Sequence, residues 1–318
     1  MVTVVQIDRK SAVLTSSSIA CLKHMPTINL TSGCTHGCIY CYTRGYSTHP
    51  GENKVILYKN TFEKLKDELS RKRAKPQAVY FSSSSDLFQP LPEVLALGYR
   101  ILEFLFSQNI GVAFLSKGRI PDQTMSLFLS HPDKVRAQIG IITLDDEIQH
   151  MFEPNAASLS IRLEQIARLI AGGIATEARL DPILPGLTDT PDTLSPLFSA
   201  LAKVGVKRMA ASTLFLRPSV QESLERNVSD KDVLQGLLWF YRDAKRMAIH
   251  AERSSVVALP RSIRDEIYVR IKCAAEEYGI GLSICACKNP DLAHGTCNIG
   301  GTWPKQFDSQ RSLFGGGG

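Results

Sequence analysis

Three of the chain's eight cysteines lie in the stretch CTHGCIYC, residues 34–41. The spacing of Cys34, Cys38 and Cys41 lets three thiolates bind one face of an iron–sulfur cube and leave its fourth iron without a protein ligand. Structural zinc sites and electron-carrying clusters usually have four protein ligands. An open cluster therefore predicts chemistry at the iron. Tyr40 completes the pattern Cys-x3-Cys-x-aromatic-Cys.

Disulfides, spectator thiols and zinc are weaker assignments for this cysteine loop. Disulfides are disfavoured because the number of thiols is odd and nothing marks the chain as secreted. Three spectator cysteines would be an unusual accident in one loop that also carries Gly33 and Gly37. A zinc site stays open as an alternative if His36 or a distant cysteine supplies the fourth ligand.

Composition limits the class of protein. Of the 318 residues, 44% are hydrophobic and 21% charged, which is typical of a soluble globular protein. No apolar run approaches the length of a membrane span, and the N-terminus lacks a hydrophobic signal core, which predicts a cytoplasmic protein with no membrane association. Cysteines in a reducing compartment indicate metal or redox chemistry. The net charge of +6 and the basic run 71–75 permit a polyanionic partner.

The middle of the chain alternates between strand-like and helical patterns. Strands are predicted at residues 26–31, 78–82, 111–115, 138–143, 175–183 and 208–215, and helices at 92–107, 161–171 and 193–204, with further helices beginning near 60 and 121. Six strands separated by helices predict an α/β fold with a parallel sheet, and the crossover lengths suit a partial (β/α)6 barrel. A doubly wound open sheet remains the alternative. Polar residues follow several strands, at the edge where β/α barrels carry their active sites.

The same patterns predict a domain organisation. Residues 1–25 form an N-terminal extension and residues 26–218 the partial barrel. Residues 219–314 form a C-terminal region with helices at 230–247 and 262–277 and a candidate auxiliary metal site. Residues 315–318, four glycines, are expected to be a flexible tail.

The cysteine loop with its flanks, GCTHGCIYCYTRGY at residues 33–46, resembles the radical S-adenosylmethionine (SAM) enzymes of the spore photoproduct lyase-like group. The likeness extends to SSSSDLFQP at 82–90, SKGR at 116–119 and the helix-to-strand segment 163–189. It covers residues 26–218. Members of this group share a partial six-stranded β/α barrel, which agrees with the strand pattern.

The resemblance implies roles for particular residues. Cys34, Cys38 and Cys41 would ligate a [4Fe–4S] cluster, and the amino and carboxylate groups of SAM would complete the fourth iron. The other SAM contacts would be Tyr40 at the adenine, Ser85, Asp86 and Lys117 near the methionine moiety, Arg179 at a carboxylate or hydroxyl, and Thr143 and Arg44 as further partners. Asp86 can pair with an ammonium and Lys117 with a carboxylate. Tyr40 as a core aromatic and Arg179 in a barrel salt bridge are the alternatives.

The sequence departs from the group at one reactive position. Photoproduct lyases have a hydrogen-donating cysteine where this chain has Ser83. A serine hydroxyl is a far poorer hydrogen-atom donor than a thiol, so the reaction is predicted to be a lyase reaction or another radical-initiated modification. Radical chemistry is compatible with this departure, whereas the substrate does not carry over. Tyr42 matches a tyrosine that relays hydrogen in those lyases, and Tyr42 and Ser83 are therefore the predicted catalytic pair.

A second group of cysteines lies outside the shared barrel, in ICACKNPDLAHGTCNIGG. Cys285, Cys287 and Cys297, together with Cys273, are predicted to hold a second iron–sulfur cluster or a zinc ion. The alternative for Cys273 is that it packs as a small hydrophobe on its helix. Cys21 is expected to be structural.

Together these features predict a radical SAM enzyme. In such an enzyme a reduced cluster cleaves SAM, and a 5′-deoxyadenosyl radical abstracts hydrogen from the substrate. An external one-electron reductant such as flavodoxin or ferredoxin would be its partner. The substrate would be nucleic acid by analogy with the group, or otherwise a small molecule or peptide. The alternative is a non-catalytic iron–sulfur or zinc protein that binds metal or senses redox state on the same scaffold.

Overall fold

A computed structural model describes residues 2–17, 19–249, 254–293 and 297–303. The predicted tail at 315–318 lies outside these described residues. The strands are β1 (Thr3–Ile7), β2 (Thr27–Ile28), β3 (Thr31–Ser32), β4 (Lys54–Tyr58), β5 (Ala78–Phe81), β6 (Gly111–Ser116), β7 (Val135–Gly140), β8 (Ala175–Ile183), β9 (Arg208–Thr213), β10 (Lys245–Ile249), β11 (Ser254–Ala258) and β12 (Gly281–Ile284). The α-helices are α1 (Thr61–Ser70), α2 (Pro92–Ser107), α3 (Asp122–Leu129), α4 (Asp146–Phe152), α5 (Leu159–Ala171), α6 (Pro191–Lys203), α7 (Pro218–Asn227), α8 (Lys231–Trp239) and α9 (Arg261–Glu277).

A seven-stranded parallel sheet in the order β2-β5-β6-β7-β8-β9-β12 forms the centre of the molecule. Helices follow the strands along the chain, as expected for parallel strands joined by crossovers. The α/β class and the partial barrel predicted from the sequence are confirmed. All six predicted strands are present, although the first is reduced to Thr27–Ile28.

The apolar sequence of the central strands explains why they form the core. AVYF in β5 is buried throughout, and five of the six residues of GVAFLS in β6 are buried. Strands covered on both faces are expected to read as continuous hydrophobic runs. Phe114 stacks on Phe128 of α3, with ring centroids 5.4 Å apart, and this contact fixes one helix against the sheet.

The C-terminal region differs from the prediction in two ways. The helix predicted at 230–247 ends at Trp239, because residues 240–244 form turns and β10 then pairs with β11 as an antiparallel hairpin. The chain after α9 also re-enters the barrel sheet, since β12 pairs with β9 from Gly281 opposite Arg208 to Ile284 opposite Ala211. The tail cysteines therefore follow a strand of the main sheet.

The N-terminal extension packs beside the barrel. β1 pairs with β4, which in turn pairs with β3 just before the cysteine loop. Cys21 lies in a short 3-10 helix, Ala20–Leu22, that contributes the fully buried Leu22. Among the described residues, we find no helix with the length and hydropathy needed to span a bilayer.

Candidate cluster and cofactor site

One cavity lies at the carboxyl edge of the parallel sheet, and the three loop cysteines line it. Most of the residues predicted for the site line the same cavity: Tyr40, Tyr42, Arg44, Ser83, Ser85, Asp86, Lys117 and Arg179. They come from the cysteine loop, from the segments that follow β5 and β6, and from β8, and these parallel strands share one carboxyl edge. The fold thus brings distant segments of the sequence to one place.

The shape of the cysteine loop depends on two glycines and one arginine. Gly33 and Gly37 have φ values of +82° and +66°, and a side chain at Gly33 would lie 2.6 Å from the Lys54 carbonyl oxygen. Arg44 donates to the carbonyl oxygens of Cys38, at 3.2 Å, and Gly37, at 3.1 Å, and it forms an ion pair with Glu52. Arg44 therefore holds the backbone of the loop.

Asp86 connects the loop to the sheet. Its carboxylate accepts hydrogen bonds from the Ser116 hydroxyl, at 2.8 Å, and from the backbone N–H groups of Lys117 and Phe88, and it lies 3.2 Å from Nε2 of His36. Burial alone would raise the pKa of this carboxyl, but His36 and the hydrogen bonds hold the pKa below its ordinary value. These contacts give Asp86 a positioning role, and its predicted pairing with the SAM ammonium stays a prediction.

A buried ionic network contacts the cysteine loop through Tyr40. The Tyr40 hydroxyl donates to Glu153, whose carboxylate pairs with Arg162 at 2.5 Å, and both charged side chains are 0% exposed. Arg162 also donates to the carbonyl oxygens of Gly140 and Ala157. Sequence reasoning missed Glu153 and Arg162. The available signal was that Arg162 falls in helical phase with the buried Ile166.

Lys117 lies between this network and the cavity. Its Nζ donates to the Asp181 carbonyl oxygen at 3.1 Å, lies 3.8 Å from Glu153 and is 5.6 Å from the centre of the Tyr40 ring. The side chain is mostly buried but lines the cavity. The ammonium is therefore held where it can meet an anionic group of a ligand.

The predicted catalytic pair is adjacent in the structure. The Tyr42 hydroxyl donates to the Ser83 carbonyl oxygen at 2.5 Å, and the Ser83 hydroxyl accepts from Asn29 at 3.3 Å. Nearby, the buried hydroxyl oxygens of Ser82 and Ser85 have no hydrogen-bond partner in the part of the chain that the structure describes. Buried polar groups are normally hydrogen-bonded, so these two hydroxyls are available to a ligand in the cavity.

Arg179 forms a salt bridge, which was the alternative role predicted for this residue. Its guanidinium donates to Asp181 at 2.9 Å and to Gln138 at 3.3 Å. Lys288 from the C-terminal region also donates to both oxygens of Asp181 at 2.8 Å. Burial alone would raise the pKa of Asp181, but Lys288 and Arg179 together lower it.

Two predicted site residues lie elsewhere. Thr143 is buried, but it does not line the cavity, and its hydroxyl accepts from the Asp145 N–H at 3.0 Å to close a turn before α4. Cys273 is exposed on α9 and does not line the cavity that the tail cysteines line. Its role as a metal ligand stays a prediction.

Cys21 lies next to the tail cysteines. Its thiol is 2.7 Å from that of Cys287, and its side chain packs against the cluster that contains Cys285 and Cys297. Its structural role stays a prediction. The sequence separation of 266 positions between Cys21 and Cys287 explains why no local pattern reveals this neighbour. Cys21, Cys285, Cys287 and Cys297 line the same cavity as the three loop cysteines.

The thiols of the cysteine loop lie in surroundings that disfavour free thiolates. Burial raises the pKa of Cys38 to about 12 and also raises that of Cys34. A bound metal stabilises thiolates directly. Among the described residues, no three His, Cys, Asp or Glu side chains surround a point where one metal ion would sit. A [4Fe–4S] cube differs from a single metal ion in its ligand geometry, because each cysteine binds a separate iron.

The fold and the site together define a parallel partial barrel with a three-cysteine loop at the carboxyl edge of its sheet. The family model described as the radical SAM superfamily matches residues 28–195, more than half of the chain. The chain belongs to the radical SAM superfamily. Membership implies a [4Fe–4S] cluster and SAM as cofactors.

Curated relatives share part of the chain. A radical SAM Nα-GlyT isomerase of Pseudomonas phage M6 is 32% identical over 173 residues, which cover 54% of this chain and 35% of the phage protein. An uncharacterized protein of Mycobacterium tuberculosis is 26% identical over 223 residues, covering 67% of this chain and 65% of that protein. The chain thus spans about a third of the first relative and less than two thirds of the second.

Solved structures support the fold. A spore photoproduct lyase mutant superposes with a TM-score of 0.66 at 17% identity, covering 88% of this chain and 81% of the lyase. Another mutant of that lyase, solved with bound AdoMet and dinucleoside spore photoproduct, gives a TM-score of 0.65. A radical SAM methyltransferase from Sphaerobacter thermophilus gives 0.52. At these identities the likeness concerns the fold alone.

Proposed function

We propose that this chain is a radical SAM enzyme that cleaves SAM reductively and uses the products to abstract a hydrogen atom from its substrate. The observation that carries the proposal is that Cys34, Cys38 and Cys41 line one cavity together with Lys117 and the Ser85 hydroxyl, which has no hydrogen-bond partner among the described residues. Three thiols suit an open [4Fe–4S] cluster, and a cation with a free hydroxyl suits an amino-acid ligand. The residues present therefore fit the cofactors that the family implies.

The cluster and SAM supply the one-electron chemistry when they are bound, and the chain's own residues hold and shield them. Arg44 holds the backbone of the cysteine loop. Asp86 pairs with His36 and so holds that part of the loop against β6. Lys117 offers a positive charge to the SAM carboxylate, and Tyr40 offers a ring to the adenine. Because Asp86 already accepts bonds from the protein, its effect on SAM is expected to come mainly through the loop.

Replacing Lys117 by methionine is expected to weaken SAM binding about ten- to a hundredfold, because a buried carboxylate loses its charged partner. The volume of the side chain is nearly conserved, so the cavity should keep its shape. Equilibrium binding of SAM to the anaerobically reconstituted protein measures the effect. Lys66→Met on α1 serves as the control, since Lys66 is exposed and outside the cavity. Equal affinity in the two variants would show that Lys117 is not a SAM ligand.

Tyr42 and Ser83 are proposed to act on the substrate side of the cavity. The hydrogen bond from Tyr42 to the Ser83 backbone aims the phenol along the cavity wall, where a tyrosine can relay a hydrogen atom. Ser83 cannot replace the thiol of the lyases, because its O–H bond is a poor hydrogen-atom source. The proposed reaction therefore differs from that of the lyases.

For the substrate, we propose a nucleic acid or a part of one. The support is that a lyase with the same fold is complexed with a dinucleoside. The cavity also has cationic side chains near its lining, including Arg44, Arg217 and Lys288, which suit a phosphate-bearing ligand. We also propose a cytoplasmic location, where flavodoxin or ferredoxin would act as the reductant and supply the electron.

The experiment is an anaerobic screen that measures 5′-deoxyadenosine. DNA and RNA oligonucleotides, nucleosides, small metabolites and peptides are each added to the reduced, reconstituted protein. We expect oligonucleotides or nucleosides to accelerate formation of 5′-deoxyadenosine and to show a change in mass. Acceleration by peptides or small metabolites alone would contradict the proposed substrate class. No 5′-deoxyadenosine under any condition would favour a non-catalytic role.

A further inference from the structure

Four cysteines from two distant segments of the chain meet at the SAM cavity, and the proposed function does not use them. Cys285, Cys287 and Cys297 belong to one buried cluster, and Cys21 packs against it with its thiol 2.7 Å from that of Cys287. The fold therefore gathers four thiols at one place. We propose that Cys21, Cys285, Cys287 and Cys297 hold a second [4Fe–4S] cluster.

The surroundings of the four thiols suit a buried metal centre. Cys285, Cys287 and Cys297 are 4%, 7% and 1% exposed, and they form one apolar cluster with Ile249 and Val256 of the C-terminal hairpin. Four thiols in an apolar cluster have few polar partners, and thiolates buried there need a cation to offset their charge. A metal centre supplies that cation and satisfies all four sulfur atoms.

Arg179 adds a fixed positive charge at the same place. Its guanidinium donates to Asp181, and the side chain lines the same cavity as Cys297. A cluster held by four thiolates carries net negative charge, which a nearby arginine offsets in a low-dielectric interior. Arg179 is therefore suited to offset the charge of a cluster bound by the tail cysteines.

Four thiols at one place suit a metal centre better than a disulfide. Sets of four thiolates bind either zinc or iron–sulfur clusters. We assign the iron–sulfur cluster because the cavity that these thiols line also holds the loop cysteines of the proposed redox site. The Cys21–Cys287 sulfur distance of 2.7 Å also exceeds the length of a disulfide bond, about 2.05 Å.

Four protein ligands distinguish this cluster from the first one. Every iron would have its own cysteine, so no iron is left open to SAM or substrate. The cluster would also join the N-terminal extension, through Cys21, to the segment that follows β12. It lies beside the same cavity as the loop cysteines, and Lys288 links its segment to Asp181.

The test uses the full chain, reconstituted anaerobically with ferrous iron and sulfide, and measures iron, sulfide and zinc together with electron paramagnetic resonance spectra. The wild type is expected to hold about eight irons, as two cubes require. The double variant Cys21→Ser, Cys287→Ser should hold about half of that iron. Cys273→Ser is the matched control. This exposed cysteine is not one of the four proposed ligands, so its loss should leave the iron content unchanged.

A second variant keeps the test decisive if the double variant fails to fold. The triple variant Cys34→Ala, Cys38→Ala, Cys41→Ala should retain about four irons with the spectrum of a four-cysteine cluster. An iron-free triple variant would overturn the proposal. So would a wild-type protein with about four irons and one zinc, or a Cys21–Cys287 disulfide found by mass spectrometry under anaerobic conditions. These measurements do not depend on SAM cleavage, so they separate this proposal from the proposed function.

Discussion

Replacing Cys34, Cys38 and Cys41 together by alanine is expected to remove about four irons per chain and to abolish reductive SAM cleavage. The three thiols are the only proposed protein ligands of the open cluster, and the cavity they line holds the proposed SAM contacts. Iron analysis and chromatography of 5′-deoxyadenosine after reduction with dithionite measure the two effects. Circular dichroism establishes that the variant is folded.

The Cys273→Ala variant is the control for this experiment, since it removes a thiol that is exposed and does not line the cavity that both cysteine groups line. It should retain full iron and full activity. Undiminished iron in the triple variant would show that the loop does not bind a cluster. Retained SAM cleavage would show that another centre performs the chemistry.

The second large effect concerns stability. Glu153→Gln is expected to destabilise the protein by about 3–5 kcal/mol, because it leaves the buried Arg162 charge without its partner. Both side chains are 0% exposed, so water cannot replace the lost carboxylate. Urea unfolding of the reconstituted protein, followed by circular dichroism, measures the change in the free energy of unfolding.

Glu164→Gln on the same helix as Arg162, α5, is the matched control. Glu164 lies 3.9 Å from Arg168 in an exposed pair, which is expected to contribute less than about 1 kcal/mol. Adding Arg162→Met to Glu153→Gln should recover part of the lost stability, because no unpaired charge then remains. Similar effects of the two glutamate substitutions would contradict the role assigned to the buried pair.

Local patterns in the sequence predicted most of the barrel. Helix α2 has the predicted bounds, and α5 begins two residues before the predicted start and ends where expected, at the residue before Gly172. These elements carry their own signals in apolar periodicity and in terminal proline or glycine residues. The cysteine loop was equally readable, because its three thiols lie close together in sequence.

Contacts between distant segments were not predictable in the same way. The pairing of His36 with Asp86 and of Glu153 with Tyr40 joins residues whose neighbourhood is set by the crossovers of the barrel. Cys21 was predicted to be structural, and its neighbour Cys287 lies 266 positions away in sequence. The helix predicted at 230–247 failed because turn hydrogen bonds after Trp239 and pairing with β11 outweigh the helical pattern.

The most direct test of the central claim is a single-turnover measurement of SAM cleavage. The wild-type chain is reconstituted anaerobically, reduced with dithionite and mixed with SAM, and 5′-deoxyadenosine and methionine are quantified against time. We expect both products in equal amounts from the wild type and neither from the variant that lacks Cys34, Cys38 and Cys41. A fully loaded, reduced wild-type protein that binds SAM and leaves it intact in the presence of every substrate class would contradict the account.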